Sequence, residues 1–436
     1  TINLVQIYAS NTIHTSTCKK LKNNWQTNCS IALFHESTIL CTFVNLSNNS
    51  ILVNDSEKNK DISYVKHQCT GCEACFNICP KQCIHKRKRE LGHTYPEIDY
   101  NKCIKCGLCF QICPAIQTVS FHYPLKAYAT WSKDENDYKT STSGGAASVF
   151  SQAIIQEGGI VYGCTADGLN IHHIRVTNNK QLPQLKGSKY VQSQIGDCYK
   201  LVQKDLKNGK KVLFIGTPCQ CSGLKSFLRK EYEQLITVDL ICHGVPPISI
   251  LEQHAEKKLH CSKNEVETVR FREGTECILT LTSKKNKYIS NLWEQRYEDA
   301  YYNAFMDGFS YRDSCYKCKF AQIKRCTDIT IGDFWGLGKK IPFAVSHPFG
   351  VSVLLPCTQK GLNFINSLNN SLFLYERGIE EAEEGNDQLR NPKRKTIRIR
   401  IFRCLFRLFS LENSYRLVNI DHLIKKHIKR IYVIFR

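Results

Sequence analysis

Two cysteine runs constrain this chain more than any other feature in it. Residues 69 to 83 read CTGCEACFNICPKQC, with Cys69, Cys72, Cys75 and Cys79 spaced C-x2-C-x2-C-x3-C-P. The stretch CIKCGLCFQICP at 103 to 114 repeats that spacing with Cys103, Cys106, Cys109 and Cys113. Three thiols within seven residues let a short loop wrap three corners of a four-iron cubane, and the fourth corner needs a ligand from elsewhere. In the two-cluster arrangement the last cysteine of each run serves the other cluster. That predicts one 4Fe-4S cluster on Cys69, Cys72, Cys75 and Cys113, and a second on Cys103, Cys106, Cys109 and Cys79. Pro80 and Pro114 turn the chain just after each crossing ligand. A pair of zinc sites is the competing reading, but zinc motifs ordinarily use paired C-x2-C knuckles. Cys83, four residues beyond the first run's last ligand, reads as a packed thiol.

At 436 residues with 24 cysteines, the chain is long enough for two or three units. Thiols in tight clusters within so long a chain point to metal chemistry rather than to a disulfide framework. The start shows no basic, apolar and small-residue succession of a signal peptide, and no apolar run is long enough for a transmembrane helix. The expectation is a cytoplasmic protein. The formal charge of +21 is unevenly spread, since residues 391–436 alone hold thirteen Lys and Arg against two acids. About half of the excess therefore belongs to a tail.

Four segments follow. Residues 1–62 are an extension of unknown role, whose Cys18, Cys29 and Cys41 have no ligand spacing. Residues 63–122 are the duplicated cysteine unit, and the basic stretch Lys86 to Arg89 between its halves reads as a solvated hairpin face. Residues 123–390 alternate helix and strand signals. A helix is expected after Ser143, Gly144 and Gly145, a strand at IVYGC, a helix with Ile195, Cys198, Leu201, Val202 and Leu206 on one face, and strands at KVLFIG and LITVDLIC. A β-rich excursion follows at 266–283, then helix again. The fold class is α/β, or α+β overall, with a substantially parallel sheet. Residues 391–436 form a basic amphipathic tail. Arg400, Arg403 and Arg407 share one helical face opposite Ile401, Phe402, Leu405, Leu408 and Phe409, suited to an anionic membrane surface or to packing on the chain's own domain.

Seven ordered stretches of the large segment, STSGGAASVF, GGIVYG, LKGSKYVQS, VLFIGTPCQ, VDLICHGVP, SCYKCKF and CTDITIGDFWG, resemble the coenzyme F-420 hydrogenase/dehydrogenase beta-subunit family. The resemblance runs from Cys69 to Pro356 and includes fusion to an N-terminal two-cluster ferredoxin unit. It implies an FAD-binding iron–sulfur oxidoreductase that moves electrons between clusters and a flavin, which exchanges hydride with a deazaflavin or another small-molecule acceptor.

The residues themselves support a third cluster. Cys219 and Cys242 each follow an expected buried strand, at the carboxyl edge where α/β sheets place their sites, and Cys315 and Cys318 add a CxxC. These four are the expected ligands, with Cys326 a substitute and Cys221 a bystander. Buried thiols beside a small zinc knuckle at 315–326 are the bland alternative. For the flavin, Ser143, Gly144 and Gly145 open a helix whose free N–H groups suit a pyrophosphate. Gly187, Ser188, Lys189 and Tyr190 offer a turn, a hydroxyl, a cation and a ring, and Gly216, Thr217 and Pro218 permit close backbone approach. Such turns are ordinary taken singly, and it is the resemblance that implies a role for them. His243 is a candidate proton donor or a hydrogen-bond donor to a cluster sulfur, with a satisfied structural histidine as the bland case. Asp333 and Trp335 are candidate ligand-facing loop residues by the same resemblance.

The function expected is electron transfer from ferredoxin or a similar donor through 4Fe-4S clusters to FAD and an unidentified acceptor. A non-catalytic electron-transfer subunit is the alternative. No nucleic-acid partner is expected, because the basic residues lack interleaved aromatic motifs.

Overall fold

The structure, a computed structural model, describes residues 61–294 and 298–422. The proposed N-terminal extension up to residue 60, with Cys18, Cys29 and Cys41, and the tail from residue 423 lie outside the described residues. All described residues belong to one compact unit that begins at Asn59.

Between the two cysteine runs the chain forms an antiparallel hairpin, β1 (Ile84–Lys88) and β2 (Thr94–Ile98), paired from Ile84↔Ile98 to Lys88↔Thr94. This hairpin returns the second run to the side of the first. Strands β3 (Ala127–Ser132), β4 (Ile160–Asp167), β5 (Asn170–Val176), β6 (Val212–Gly216) and β7 (Leu235–Leu240) come next. The excursion is then a separate antiparallel sheet of β8 (Val266–Arg270), β9 (Ile278–Ser283) and β10 (Lys287–Asn291), after which β11 (Ile329–Asp333), β12 (Ser352–Pro356) and β13 (Leu372–Arg377) rejoin the first sheet. The large sheet has the order β13-β3-β12-β11-β7-β6-β4-β5.

Only its centre is parallel. β4, β6, β7 and β11 run side by side in one direction, while β5, β12 and β13 are antiparallel to their neighbours. The connections explain this mixture. β5 follows β4 through a two-residue turn at Gly168, where φ is +53°, and so short a link makes a hairpin and not a crossover.

Alternation along the central strands sends side chains to two cores. Val212 and Phe214 face one side with Ile160, Tyr162 and Leu235, and Leu213 faces the other with Ile236, Val238 and Ile329. Helix α1 (Ala146–Gln156) covers the second face with Val149, Phe150 and Ile154. Helices α2 (Cys198–Lys207) and α3 (Pro218–Leu228) cover the first. The buried face of α2 is Cys198, Tyr199, Val202 and Leu206, preceded by Ile195. Leu201, expected on that face, is instead exposed, because Tyr199 takes the inward position beside Cys198 and turns the stripe away from it. The cysteine unit packs against this same face, with Cys72, Ala74 and Ile112 in the core of α2 and α3. It is thus part of the compact unit rather than a separate lobe.

A further core joins the three-stranded sheet to α4 (Ile248–Leu259), α5 (Ala300–Asp307), and the tail helices α6 (Ile397–Leu405) and α7 (Leu411–Val418). The tail docks on its own domain. Phe402 stacks on Phe309 at 5.2 Å, and Arg403 is buried, donating to Tyr311 O at 3.2 Å and pairing with Asp313 at 3.1 Å. The basic face therefore supplies an inward arginine, whose stem packs while its head finds partners. Ile401, Leu408 and Phe409, expected on the apolar face, are exposed. Among the described residues no helix is long and apolar enough to cross a membrane.

His254 on α4 anchors the tail. Its ring lies 2.8 Å from Asp299 and 3.4 Å from Glu412 of α7. Burial would lower its pKa, but the two carboxylates outweigh burial and raise it above the ordinary 6.5. A raised folded-state pKa gives stability that is complete below the unfolded value and lost as pH rises through the folded one. The melting temperature of the wild type should therefore fall, relative to His254→Gln, as pH is raised above about 6.5, as thermal unfolding at a series of pH values would measure.

Candidate functional site

The first thiol group is enclosed. Cys69, Cys72, Cys75 and Cys113 are all buried and line one cavity with Thr70, Gly71 and Pro114. Left-handed backbone at Gly71 (φ +72°) and Glu73 (φ +61°) coils the loop so that three sulfurs turn inward. Cys113 arrives from the second run, as the crossing arrangement predicts. Burial, then repulsion from Cys113 and Cys69, pushes the Cys72 thiol up to about 12. Burial pushes Cys113 up to about 11 and Cys75 well above the usual thiol value.

The second group faces solvent. Cys79, Cys103, Cys106 and Cys109 line another cavity with Cys83, Lys81, Tyr100, Ile104 and Lys105, and Cys106 is exposed. Cys79 and Cys83 lie 3.4 Å apart and diverge electrostatically. Burial works against the Cys79 thiolate, but hydrogen bonds from Cys83, Lys81 and Gln82 hold its pKa below the ordinary value. Burial pushes Cys83 up to about 12. The expected ligand is thus the readier thiolate, and the bystander stays a thiol.

The third group forms at the carboxyl edge of the sheet. Cys219 sits on the first turn of α3, just after β6, and Cys242 follows β7. The α3 start is held by Pro218 at its first position and by Gln220 Oε1 accepting from Thr217 N–H at 3.0 Å. Cys315 and Cys318 come from the turn Asp313–Lys317 and its end. The field of Cys315, Cys219 and Cys318 acts on Cys242, and that of Cys318 on both Cys219 and Cys315. Burial first, and this crowding second, pushes Cys219 and Cys315 up to about 12. Each of the four keeps some accessible surface. Thiols so disfavoured as thiolates ionise when a bound cation supplies the opposing charge, so this donor set fits an iron–sulfur cluster. Among the described residues no three His, Cys, Asp or Glu side chains close on a single-ion position.

Cys326 and Cys221 turn to other partners. Cys326 Sγ points to Pro218 O at 3.7 Å, and Cys221 Sγ to Val238 O at 3.5 Å. With Cys357 they surround the buried pair Arg325 and Asp239, 3.0 Å apart. This places Cys326 behind α3, next to Cys219 but turned toward Asp239 and Lys225.

The stretches tied to a flavin converge on a residue that sequence reasoning missed. Arg272, at the end of the β8 excursion, donates to Asp333 at 2.9 Å, to Tyr190 OH at 3.3 Å, and to the carbonyls of Thr142 and Thr275 at 3.1 and 2.8 Å. Thr142 and Ser188 hydroxyls lie 3.4 Å apart. One guanidinium thus fastens the 142–145, 187–190 and 333–335 loops together. Its Nε is buried and has no partner among the described residues. Within these loops several groups are already engaged. Ser143 Oγ donates to Val351 O at 3.0 Å, and a Cβ at Gly144 would meet Thr130 O at 2.1 Å. Lys189 donates to Leu185 O and Lys186 O at 2.9 Å each, and burial lowers its pKa to about 8. Tyr190 stacks on Phe305 at 4.8 Å. Gly187 has open space where a side chain would stand. Gly216, Thr217 and Pro218 lead into α3, with Thr217 Oγ1 3.2 Å from Cys219 Sγ. Burial and Lys393 lower the His243 pKa, which keeps the ring neutral, and Trp335 is exposed. An arginine preceding the Cys315 pair, Arg312, was also overlooked. Its position before a CxxC, inside an aromatic run, is the one hint the sequence carries.

Residues 68–116 match the 4Fe-4S dicluster domain, a span that contains all eight outer cysteines. Residues 209–382 match the family described as the C terminus of the beta subunit of coenzyme F420 hydrogenase/dehydrogenase. That span contains Cys219, Cys242, Cys315 and Cys318, whereas the 143–145 and 187–190 loops precede it. Among solved structures, a chain of the F420-reducing NiFe hydrogenase complex from Methanosarcina barkeri is similar at 15% identity. The likeness covers 63% of this chain and 93% of that one, with a TM-score of 0.41. A comparison with curated proteins finds no match. Residues 209–382 thus resemble the C-terminal part of the coenzyme F420 hydrogenase/dehydrogenase beta subunit, and residues 68–116 a 4Fe-4S dicluster domain, which together make the chain iron–sulfur and oxidoreductase-like.

Proposed function

We infer that this chain is an iron–sulfur flavoprotein oxidoreductase that receives single electrons from ferredoxin or a similar donor protein and delivers them, through a flavin, to a deazaflavin or another small acceptor. The observation that carries this reading is the succession of three thiol groups, the first of them open to solvent. The group of Cys79, Cys103, Cys106 and Cys109 is open to solvent, and that of Cys69, Cys72, Cys75 and Cys113 is buried behind it. The inner four follow, since a Cβ at Gly223, one turn beyond Cys219, would meet Cys72 Sγ at 3.0 Å.

The three groups would each hold one 4Fe-4S cluster, supplying one-electron transfer, and FAD would supply the conversion to two-electron chemistry. The protein's residues do the rest. Lys81, Lys105, Tyr100 and Ile104 rim the exposed group, a cationic and apolar border suited to an acidic donor. Arg272 holds the loops of the proposed flavin site in one arrangement, and its free Nε is a donor for an anionic or carbonyl group there. His243, kept neutral by burial, can donate a hydrogen bond from its ring N–H at the same edge. The matched family is described by its beta subunit, which favours a second reading, an electron-transfer subunit that a partner must complete.

Anaerobically reconstituted protein should bind about twelve irons and as many sulfides, four per cluster, together with one extractable flavin. Eight irons would mean that the inner four cysteines hold no cluster, and turnover by the isolated chain separates the enzyme from the subunit. Ligand choice is tested by substitution. Cys318→Ser should lose about four irons, whereas Cys326→Ser and Cys221→Ser should keep all of them, as iron analysis of each variant will tell. Reversing Lys81 and Lys105 to Glu should leave iron unchanged and slow reduction by an acidic donor about tenfold at low ionic strength, an effect that added salt should diminish.

A further inference from the structure

Arg312 is fully buried, yet every hydrogen-bond acceptor it meets is neutral. Nε donates to Gln192 Oε1 at 3.2 Å and Nη1 to Cys69 O at 3.4 Å. Nη2 donates to Thr94 O, and the guanidinium lies over the Tyr95 ring at 4.5 Å. Among the described residues no carboxylate pairs with it. The neighbouring Asp313 is engaged by Lys395 at 2.9 Å, Arg403 at 3.1 Å and His67 at 3.5 Å. A buried charge without a counter-charge is strongly unfavourable, so an anion must stand near it in the working protein.

The position indicates which anion. A Cβ at Gly71, between Cys69 and Cys72, would meet Arg312 Nη2 at 2.7 Å, so the cation presses on the loop of the first thiol group. Its field also reaches the sulfurs of Cys219 and Cys315. Lys319, half-buried, stands near Cys113 and Cys318 and donates to Gln117 O at 2.9 Å, so it is a partly hydrated companion at the same junction.

We propose that Arg312 is the fixed counter-charge shared by the two buried cysteine groups, placed between the Cys69–Cys72 loop and the inner four so that it favours the reduced, more negative state of both clusters. This rests on the iron–sulfur reading of those groups. Without Arg312 each cluster would gain its electron against uncompensated negative charge, and its midpoint potential would fall. The group around the exposed Cys106 serves as an internal control.

The test is a redox titration, followed by electron paramagnetic resonance, of the full reconstituted chain and of Arg312→Gln and Arg312→Lys, with iron and sulfide assayed in each. Arg312→Gln should lower the midpoints of two clusters, with a roughly tenfold drop in the reduced-to-oxidised ratio at fixed potential, about 59 mV for one electron. The third midpoint should stay put, and Arg312→Lys, which keeps the charge, should stay near wild type in all three. Equal lowering in both variants would overturn the proposal by making the guanidinium a packing element, as would unchanged midpoints in Arg312→Gln at full iron content. Should Arg312→Gln fail to take up iron, Arg312→Lys decides: unchanged midpoints uphold the proposal and lowered ones overturn it. Wild-type protein without iron and sulfide would instead overturn the iron–sulfur reading itself.

Discussion

The contact between Cys72 and Gly223 is the constraint on which the rest of the molecule depends. Helix α3 presents no side chain at Gly223, and the Cys72 Cβ and Sγ occupy that space at 3.0 Å from where a Cβ would stand. Tyr199, fully buried on α2, shares its hydroxyl proton between Cys72 O at 2.9 Å and Gln220 O at 2.7 Å. Glu73 then accepts from the N–H groups of Ile195 and Gly196 at 3.0 Å each. Hydrogen bonds to a charged group contribute about 1.5–3 kcal/mol apiece, and these are enclosed. The cysteine unit is therefore seated on the sheet domain by polar contacts at the same place where its sulfurs approach the inner group.

That seat brings the thiols of the Cys69 and Cys219 groups and several cations close together. Such a grouping is stable only if charges are matched locally. Arg325 is matched by Asp239 and Arg272 by Asp333. Both pairs belong to the carboxyl edge, one behind the Cys219 helix and the other among the loops in front of it. Ion pairs thus hold the framework on either side of the inner thiols, leaving the thiols themselves to balance whatever charge they bind.

Much of this could be read from the chain beforehand, because spacing and periodicity are local properties. The crossing of Cys79 and Cys113 between groups follows from the repeated motif, and the parallel centre of the sheet follows from buried strands alternating with helices. What could not be read depended on contacts between distant residues. Nothing in VRFREG marks Arg272 as the clasp of three loops, since its partners at Thr142, Tyr190 and Asp333 are far apart in sequence. The antiparallel edge strands escaped because a buried strand looks alike in either direction. Arg403 turned inward because Asp313 awaits it, a partner no helical wheel displays. The unity of the cysteine unit and the sheet domain was likewise hidden, for composition changes at residue 123 whether or not the two segments share a core.

The order in which the thiols occur along the chain sets a schedule for maturation. The eight outer cysteines are complete once residue 113 has been synthesised, whereas the inner four are drawn from stations between 219 and 318, and N-terminal segments generally fold first during synthesis. The outer unit therefore has all its ligands well before the surface that will seat it exists. When that surface forms, Gly223 and Tyr199 close against the Cys72 loop. The inner four thiols consequently come together only after the outer unit has its full set, and the docking step that aligns the groups is also the one that covers the Cys72 loop.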